Sequence, residues 1–266
     1  MGTPRESIRL VEAGGTLRLL TVKSGVDHTA SMTAYAANRV KALDQEDLCG
    51  YVLKKDSPSC GMTRVKVYSG AGPGTRTGVG LFAQALLARF PHLPVEEEGR
   101  LTDPRLRDNF IERVFAYRRL RDLFEARWTV GDLVAFHTAH KLVLLAHSTA
   151  AYTALGRLVA QAKSDDRASF RERYIAGFMS AMTAIATTRR HTNVLQHMAG
   201  YFKKALDAAS RAEMQAAIED YRLGLVPLIV PITLIRHYVR IHDVAYLAGQ
   251  IYLSPHPKEL MLRNHV

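Results

Sequence analysis

Cysteine is scarce in this chain: Cys49 and Cys60 are the two among 266 residues. That excludes a disulfide framework and suits a reducing, cytoplasmic setting. Their separation matches neither a CxxC redox pair nor a zinc knuckle. Long apolar runs are missing too. The nearest, "LGLVPLIVPITLI" at 223–235, falls short of the roughly 20 residues of a spanning helix. Pro227 and Pro231 interrupt it, so it is expected in a buried core, and no membrane partner is implied. "MGTPRESIRL" has no apolar stretch behind its basic residue, which argues against a signal peptide. Internal repeats and low-complexity tracts are absent. Negative charge is the minority: 25 Asp/Glu face 36 Lys/Arg, a formal net charge of +11. With a pI near 9.8, the chain is suited to a polyanionic partner.

The remaining composition, 47% hydrophobic and 23% charged, is that of a soluble globular protein. The texture changes near residue 100. Before it, strand-like and helix-like signals alternate: "TLRLLTV" (16–22), a helix over 27–43 with Asp27 as N-cap, and "CGYVLK" (49–54) and "RVKVY" (64–68) flanking a turn. The helix is expected to bury Met32, Tyr35, Ala36, Val40 and Leu43. "GAGPGTRTGVG" (70–80) reads as a flexible surface loop, because it ends in neither a Walker motif nor a dinucleotide fingerprint. A helix, "LFAQALLARF", follows it. "FPHLPVEEEGRLTDPRL" is an acidic connector and the best boundary. Beyond it nearly everything has helical periodicity, with Phe110, Val114, Tyr117, Leu120 and Phe124 on one face and Thr129 capping the 130–147 stretch. The fold class is therefore mixed α/β plus all-α: residues 1–100 form an α/β domain, which the resemblance given below marks as incomplete, and 101–266 a helical domain.

The positive excess concentrates in the helical portion, which also holds nine of the 11 histidines. Arg189, Arg190, Lys203, Lys204, Arg236 and Arg240 recur near helix ends, interleaved with Tyr201, Phe202 and Tyr238. Such groups suit a phosphate backbone. RNA is favoured because no DNA-binding motif of the helix-turn-helix or zinc-finger kind appears. Lys55 is counted with these nucleic-acid candidates. His137, His140 and His147 lack the arrangement of a zinc protease, and Lys141 beside them disfavours a cation. Most read as hydrogen-bonding or core-edge residues of a polar helix face. Cys60, in "DSPSCG" among lysines and arginines, is a place to hold a thiolate. As chemistry alone, it is a ligand of a site with distant partners or an inert turn residue.

"GYVLKKDSPSCGMTRVKVY" followed by "LPVEEEGRL" resembles the thiouracil desulfidase family, α/β enzymes that remove sulfur from thiolated pyrimidines. "NFIERVFAYRRLRDL", "LVAFHTAHKLVLLAHS", "HTNVLQHMAGYFKKALD", "YRLGLVPLIVPITLIRHYVR" and "YLSPHPKELMLRN" resemble the YbgA-type domain of unknown function. Together they are similar to bacterial fusions that convert 4-thiouridine in tRNA to uridine. The resemblance implies a 4Fe-4S cluster on three cysteines, with one iron open to take the sulfur of the substrate. Cys60 matches one ligand. Ser57, ahead of Ser59, matches a serine that assists the reaction, alongside an acidic residue. The family's other two cysteines, in Ser-Cys-Leu and Cys-Pro-Glu stretches, have no counterpart here, and Met1 resembles an internal methionine. The expectation is a chain lacking the first quarter of its catalytic domain, without a cluster and inactive as written. Either the start codon lies upstream or only the helical domain still functions. Two other functions compete: an RNA-binding module without catalysis on residues 105–266, and a helical domain with another ligand in a pocket of His137, His140 and His191.

Overall fold

Two adjacent glycines, Gly14 (φ +58°) and Gly15 (φ +75°), turn the chain between β1 (Ile8–Ala13) and β2 (Thr16–Thr21). Positive φ at both positions matches the twist of an antiparallel hairpin. The computed structural model describes residues 6–70 and 72–266. Met1, with its likeness to an internal methionine, lies outside them. The chain divides into two compact units, Met1–Thr102 and Asp103–Val266.

In the first unit β1 also pairs in parallel with β4 (Val65–Tyr68), which pairs antiparallel with β5 (Thr75–Gly78); the order is β2-β1-β4-β5. A second, parallel pair is formed by β3 (Tyr51–Leu53) and β6 (Val95–Glu97). Helices α1 (Thr29–Leu43) and α2 (Leu81–Arg89) pack together. Leu10, Leu19, Met32, Val65 and Val67 form the core of the larger sheet.

Several sequence expectations need correction. Helix α1 starts at Thr29 with His28 in the cap position, because Asp27 is held by a bridge to Leu20. Asp27 accepts the Thr29 N–H instead, at 2.8 Å. Met32, Ala36, Val40 and Leu43 are buried, but Tyr35 is 59% exposed. The glycine-rich stretch contains β5. A Cβ on Gly78 would lie 2.5 Å from Val67 Cγ2, so this glycine permits close strand approach. Nor is "VEE" a solvated connector: it is strand β6, buried throughout. The strands flanking the Cys60 turn belong to different sheets.

The second unit is helical: α3 (Pro104–Glu125), α4 (Val130–Ala139), α5 (Lys141–His147), α6 (Thr149–Ala160), α7 (Arg167–Thr183), α8 (Thr188–Ala199), α9 (Ala208–Arg222), α10 (Ile229–Ile241) and α11 (Ala245–Ala248). Single turns of 3-10 helix finish the chain. Short polar side chains set most starts. Thr129 forms a capping box with Asp132, and Ser148, Asp166, Thr187 and Asp207 each accept an N–H of the helix they open. Phe170, Tyr174 and Phe178, one turn apart on α7, stack through the core, and Phe124 meets Trp128 edge-on. In α3, Phe110, Leu120 and Phe124 are buried, whereas Val114 and Tyr117 are half-buried. The 223–235 run is only partly core: Leu228, Ile232 and Ile235 are buried, but Leu225 is 70% exposed. Among the described residues no helix is long and apolar enough to cross a membrane.

Candidate functional site

Between β3 and β4 the chain makes a tight excursion bounded by two non-glycine residues in the left-handed region, Asp56 and Arg64, both at φ 56°. That conformation is uncommon outside glycine and persists where surroundings enforce it. Arg76 holds Asp56 with a 2.7 Å ion pair. Inside the excursion the Ser57 hydroxyl is a hub: it accepts the N–H of Cys60 at 3.2 Å and that of Ser59 at 3.4 Å, and lies 3.0 Å from the Ser59 hydroxyl. The Gly61 N–H returns to the Ser57 carbonyl at 2.8 Å. Carbonyl groups of the turn face the N-terminus of α2, where Ser59 O accepts Phe82 N–H at 2.8 Å. They serve those amides in place of a side-chain cap. This contact demands Gly80, whose Cβ would sit 2.4 Å from the Ser59 carbonyl.

Cys60 is half-buried, with its sulfur 3.4 Å from the Ser59 hydroxyl. Ser57, the serine favoured by the resemblance, thus shapes the turn, while Ser59 touches the sulfur. The basic setting is weaker than the sequence suggests. Glu98 pairs with Lys54 at 2.7 Å, and Arg64 and Lys66 face solvent. Lys55 is exposed, with its side chain over Gly99. Sequence reading missed Glu97, which is buried and accepts the Met62 N–H at 2.8 Å. The only signal for it was the "EEE" run next to a strand-like valine. Cys49 lies outside the turn, its thiol 3.9 Å from the Asp47 carbonyl.

As to the iron–sulfur cluster, no group of three or more His, Cys, Asp or Glu among the described residues is placed to hold a metal ion. Cys60 is one thiolate where three are needed, so the residues present do not fit a 4Fe-4S cluster by themselves, and no chemical step is derived through one.

In the helical unit, Arg189, Arg190, Lys203, Lys204, Arg236 and Arg240 are all exposed. The arginine pair opens α8 and the lysine pair follows its end, about 18 Å away at 1.5 Å per residue over 12 residues. Arg190 also donates to the His147 carbonyl at 2.7 Å. Arg236 and Arg240 line a cleft of about 980 Å³ with Lys258, Asp243 and Glu259. Of the interleaved aromatics only Tyr201 is exposed, stacked on Tyr246 at 5.1 Å; Phe202 and Tyr238 are core.

The histidines need a larger correction, since His137, His140, His147 and His191 are all buried. They do not gather in one pocket. His137 meets the Tyr174 hydroxyl at 3.1 Å, His140 the Phe136 carbonyl at 2.8 Å, and His191 the Tyr252 hydroxyl at 2.7 Å. Burial, reinforced at His191 by the Arg263 charge, pushes His140 down to about 4 and His191 to about 3. His147 is different. Its Nε2 lies 3.1 Å from a Glu112 carboxylate oxygen, whose other oxygen is 3.5 Å from Arg263.

Known proteins resemble both units. Residues 1–98 match the family 2-thiouracil desulfurase, and residues 141–257 match "Protein of unknown function (DUF1722)". The uncharacterized protein YbgA of Escherichia coli (strain K12) is 36% identical over 165 residues, 60% of this chain and 95% of that protein. The chain belongs to the YbgA family. A desulfurase-type α/β domain is fused in front of its YbgA-type helical domain. At the level of the family, the first domain has a role in desulfidation of thiolated bases. No solved structure matches the chain.

Proposed function

We propose that this YbgA-family chain takes part in removing sulfur from a thiolated uridine, 4-thiouridine, in tRNA. The observation that carries the reading is the desulfurase match over the residues that build the Cys60 turn. In that reading Cys60 is one thiolate ligand of an iron–sulfur cluster whose remaining thiolates are additional to this chain's described donors. Bound there, such a cluster would supply an open iron for the substrate sulfur. Ser57 fixes the Cys60 backbone, and Ser59 presents a hydroxyl beside the sulfur. The helical domain grips tRNA in the cytoplasm through Arg189, Lys203, Lys204, Arg236 and Arg240, with Lys55 adding charge near the turn.

A second reading, RNA binding without catalysis, is favoured by the single thiolate at the turn. One pair of measurements separates the two. The chain is treated anaerobically with iron and sulfide and mixed with tRNA containing 4-thiouridine, alone and with a desulfurase N-terminal segment bearing two cysteines fused ahead of it. Desulfidation by the fused form, lost in Cys60→Ser, is the expected result; a fused form that takes up the cluster and leaves the thiocarbonyl intact overturns the catalytic reading. Binding of the same tRNA is followed against salt for the unfused chain. Charge reversal at Arg236 and Arg240 is expected to reduce affinity and flatten the salt slope by about one for each phosphate that is no longer neutralised.

A further inference from the structure

The acidic run Glu96–Glu98 lies some 35 residues beyond Cys60, yet two of its carboxylates bracket the cysteine turn. Glu98 takes the entrance: it accepts the Lys55 N–H at 2.6 Å and pairs with the Lys54 ammonium. Glu97 takes the exit, accepting the Met62 N–H at 2.8 Å. Glu96 orients the strand end, since it accepts the Glu97 N–H at 3.0 Å and is neutralised by Arg100 at 2.7 Å. Strand β6 is itself in register with β3, the strand that leads into the turn: Tyr51 faces Val95 and Leu53 faces Glu97. Glu97 is 3% exposed and has no cationic partner among the described residues. A buried polar group is costly unless it is hydrogen-bonded, so one that persists is tied to what its hydrogen bond fixes.

We propose that Glu97 is a positioning residue for Cys60: its carboxylate anchors the Met62 amide and so holds the cysteine turn in the shape that presents the sulfur. The proposal takes Cys60 as the working group of the function proposed above. Its test reads the thiol directly, so it can fail while desulfidation stands, and the reverse.

In a Cys49→Ser background, the rate of Cys60 alkylation by iodoacetamide is measured for the full chain. Glu97→Ala, which releases the exit of the turn, is expected to speed alkylation up to about tenfold, the upper weight of one hydrogen bond. Glu97→Gln keeps a carbonyl oxygen for the Met62 N–H and is expected to restore the rate to within about twofold of the parent. Val95→Ala is the control for general loosening of β6, because Val95 is buried beside Glu97 and touches no amide of the turn; it is expected to leave the rate within about twofold. An unchanged rate in Glu97→Ala, a Glu97→Gln as fast as the alanine variant, or a Val95→Ala equally fast overturns the proposal. Should Glu97→Ala not fold, hydrogen exchange at the Met62 amide decides: a slow amide in both the parent and Glu97→Gln supports the anchor, and a fast one in either refutes it.

Discussion

Glu112→Gln is the sharpest perturbation of the helical domain. His147 donates from Nδ1 to the Ala184 carbonyl and meets the Glu112 carboxylate through Nε2. A neutral imidazole has one N–H, so satisfying both acceptors requires the imidazolium. Burial alone would lower His147, but the Glu112 hydrogen bond and charge outweigh it and raise its pKa. Burial would likewise raise Glu112; His147, Arg263 and His191 instead pull it down to about 2. Arg263 ties the tail into the same cluster, donating to the Tyr252 carbonyl at 2.6 Å and lying 4.8 Å over that ring. Substituting glutamine removes the anion and leaves two buried cations facing an amide. Breaking a buried pair from one side costs about 3–5 kcal/mol, against a total stability of about 5–15 kcal/mol. Urea unfolding followed by Trp128 fluorescence reads this domain alone, since Trp128 is the chain's one tryptophan and is buried there. A loss below about 1 kcal/mol, the value of an exposed pair, would refute the reasoning.

The same cluster fixes the sign of the pH dependence. His147 has a folded pKa above its ordinary 6.5, so its contribution is complete below 6.5 and is lost as pH rises through the raised value. For one proton the slope is up to about 1.4 kcal/mol per pH unit. His137, His140 and His191 are shifted down by burial, so they subtract stability as pH falls below 6.5. Glu112 adds a further loss below 4.5, toward about 2. Stability of the helical domain is therefore expected to peak near pH 6.5. Glu112→Gln removes the alkaline decline and leaves the acid one. An alkaline slope that survives in the variant would show that His147 is not its source.

Two other outcomes follow from packing. Gly80→Ala places a Cβ 2.4 Å from the Ser59 carbonyl and 2.6 Å from the Cys60 nitrogen; overpacking of this kind costs about 1–3 kcal/mol and is expected to accelerate Cys60 alkylation while α1 keeps its amide protection. Phe178→Ala removes the end of the α7 aromatic stack and a ring 5.3 Å from Phe136, for an expected loss of about 3–5 kcal/mol in Trp128-monitored unfolding.

The helical domain was legible because its signals are local. Apolar spacing places Phe110, Leu120 and Phe124 on one face, and Thr129 announces the start of α4 three residues before Asp132 closes the capping box. The α/β unit was less so. Strand β3 was read within 49–54, but β6, with three residues inside an acidic run, was too short for an alternation to stand out. In β5 glycine and threonine look like loop chemistry, and only the closeness of Val67 to Gly78 shows why the glycine belongs in a sheet. The histidines do hydrogen-bond, as read, but their full burial was hidden for a related reason: their partners lie 37 residues away for His137, 35 for His147 and 61 for His191. Nothing in a local window distinguishes such a histidine from one on a polar face.

The acidic residues carry a consequence for the charge balance itself. Glu96, Glu97, Asp108 and Glu112 are buried, whereas Arg263 is the one Lys or Arg buried among the described residues. Acidic groups are thus committed to the interior, holding the Cys60 turn in one unit and the chain's tail in the other. Glu96 pairs with the exposed Arg100, and Glu112 with the buried His147 and Arg263. The exposed cations on α10 and after α8 stand at the surface, and Arg236 and Arg240 share their cleft with the acidic Asp243 and Glu259.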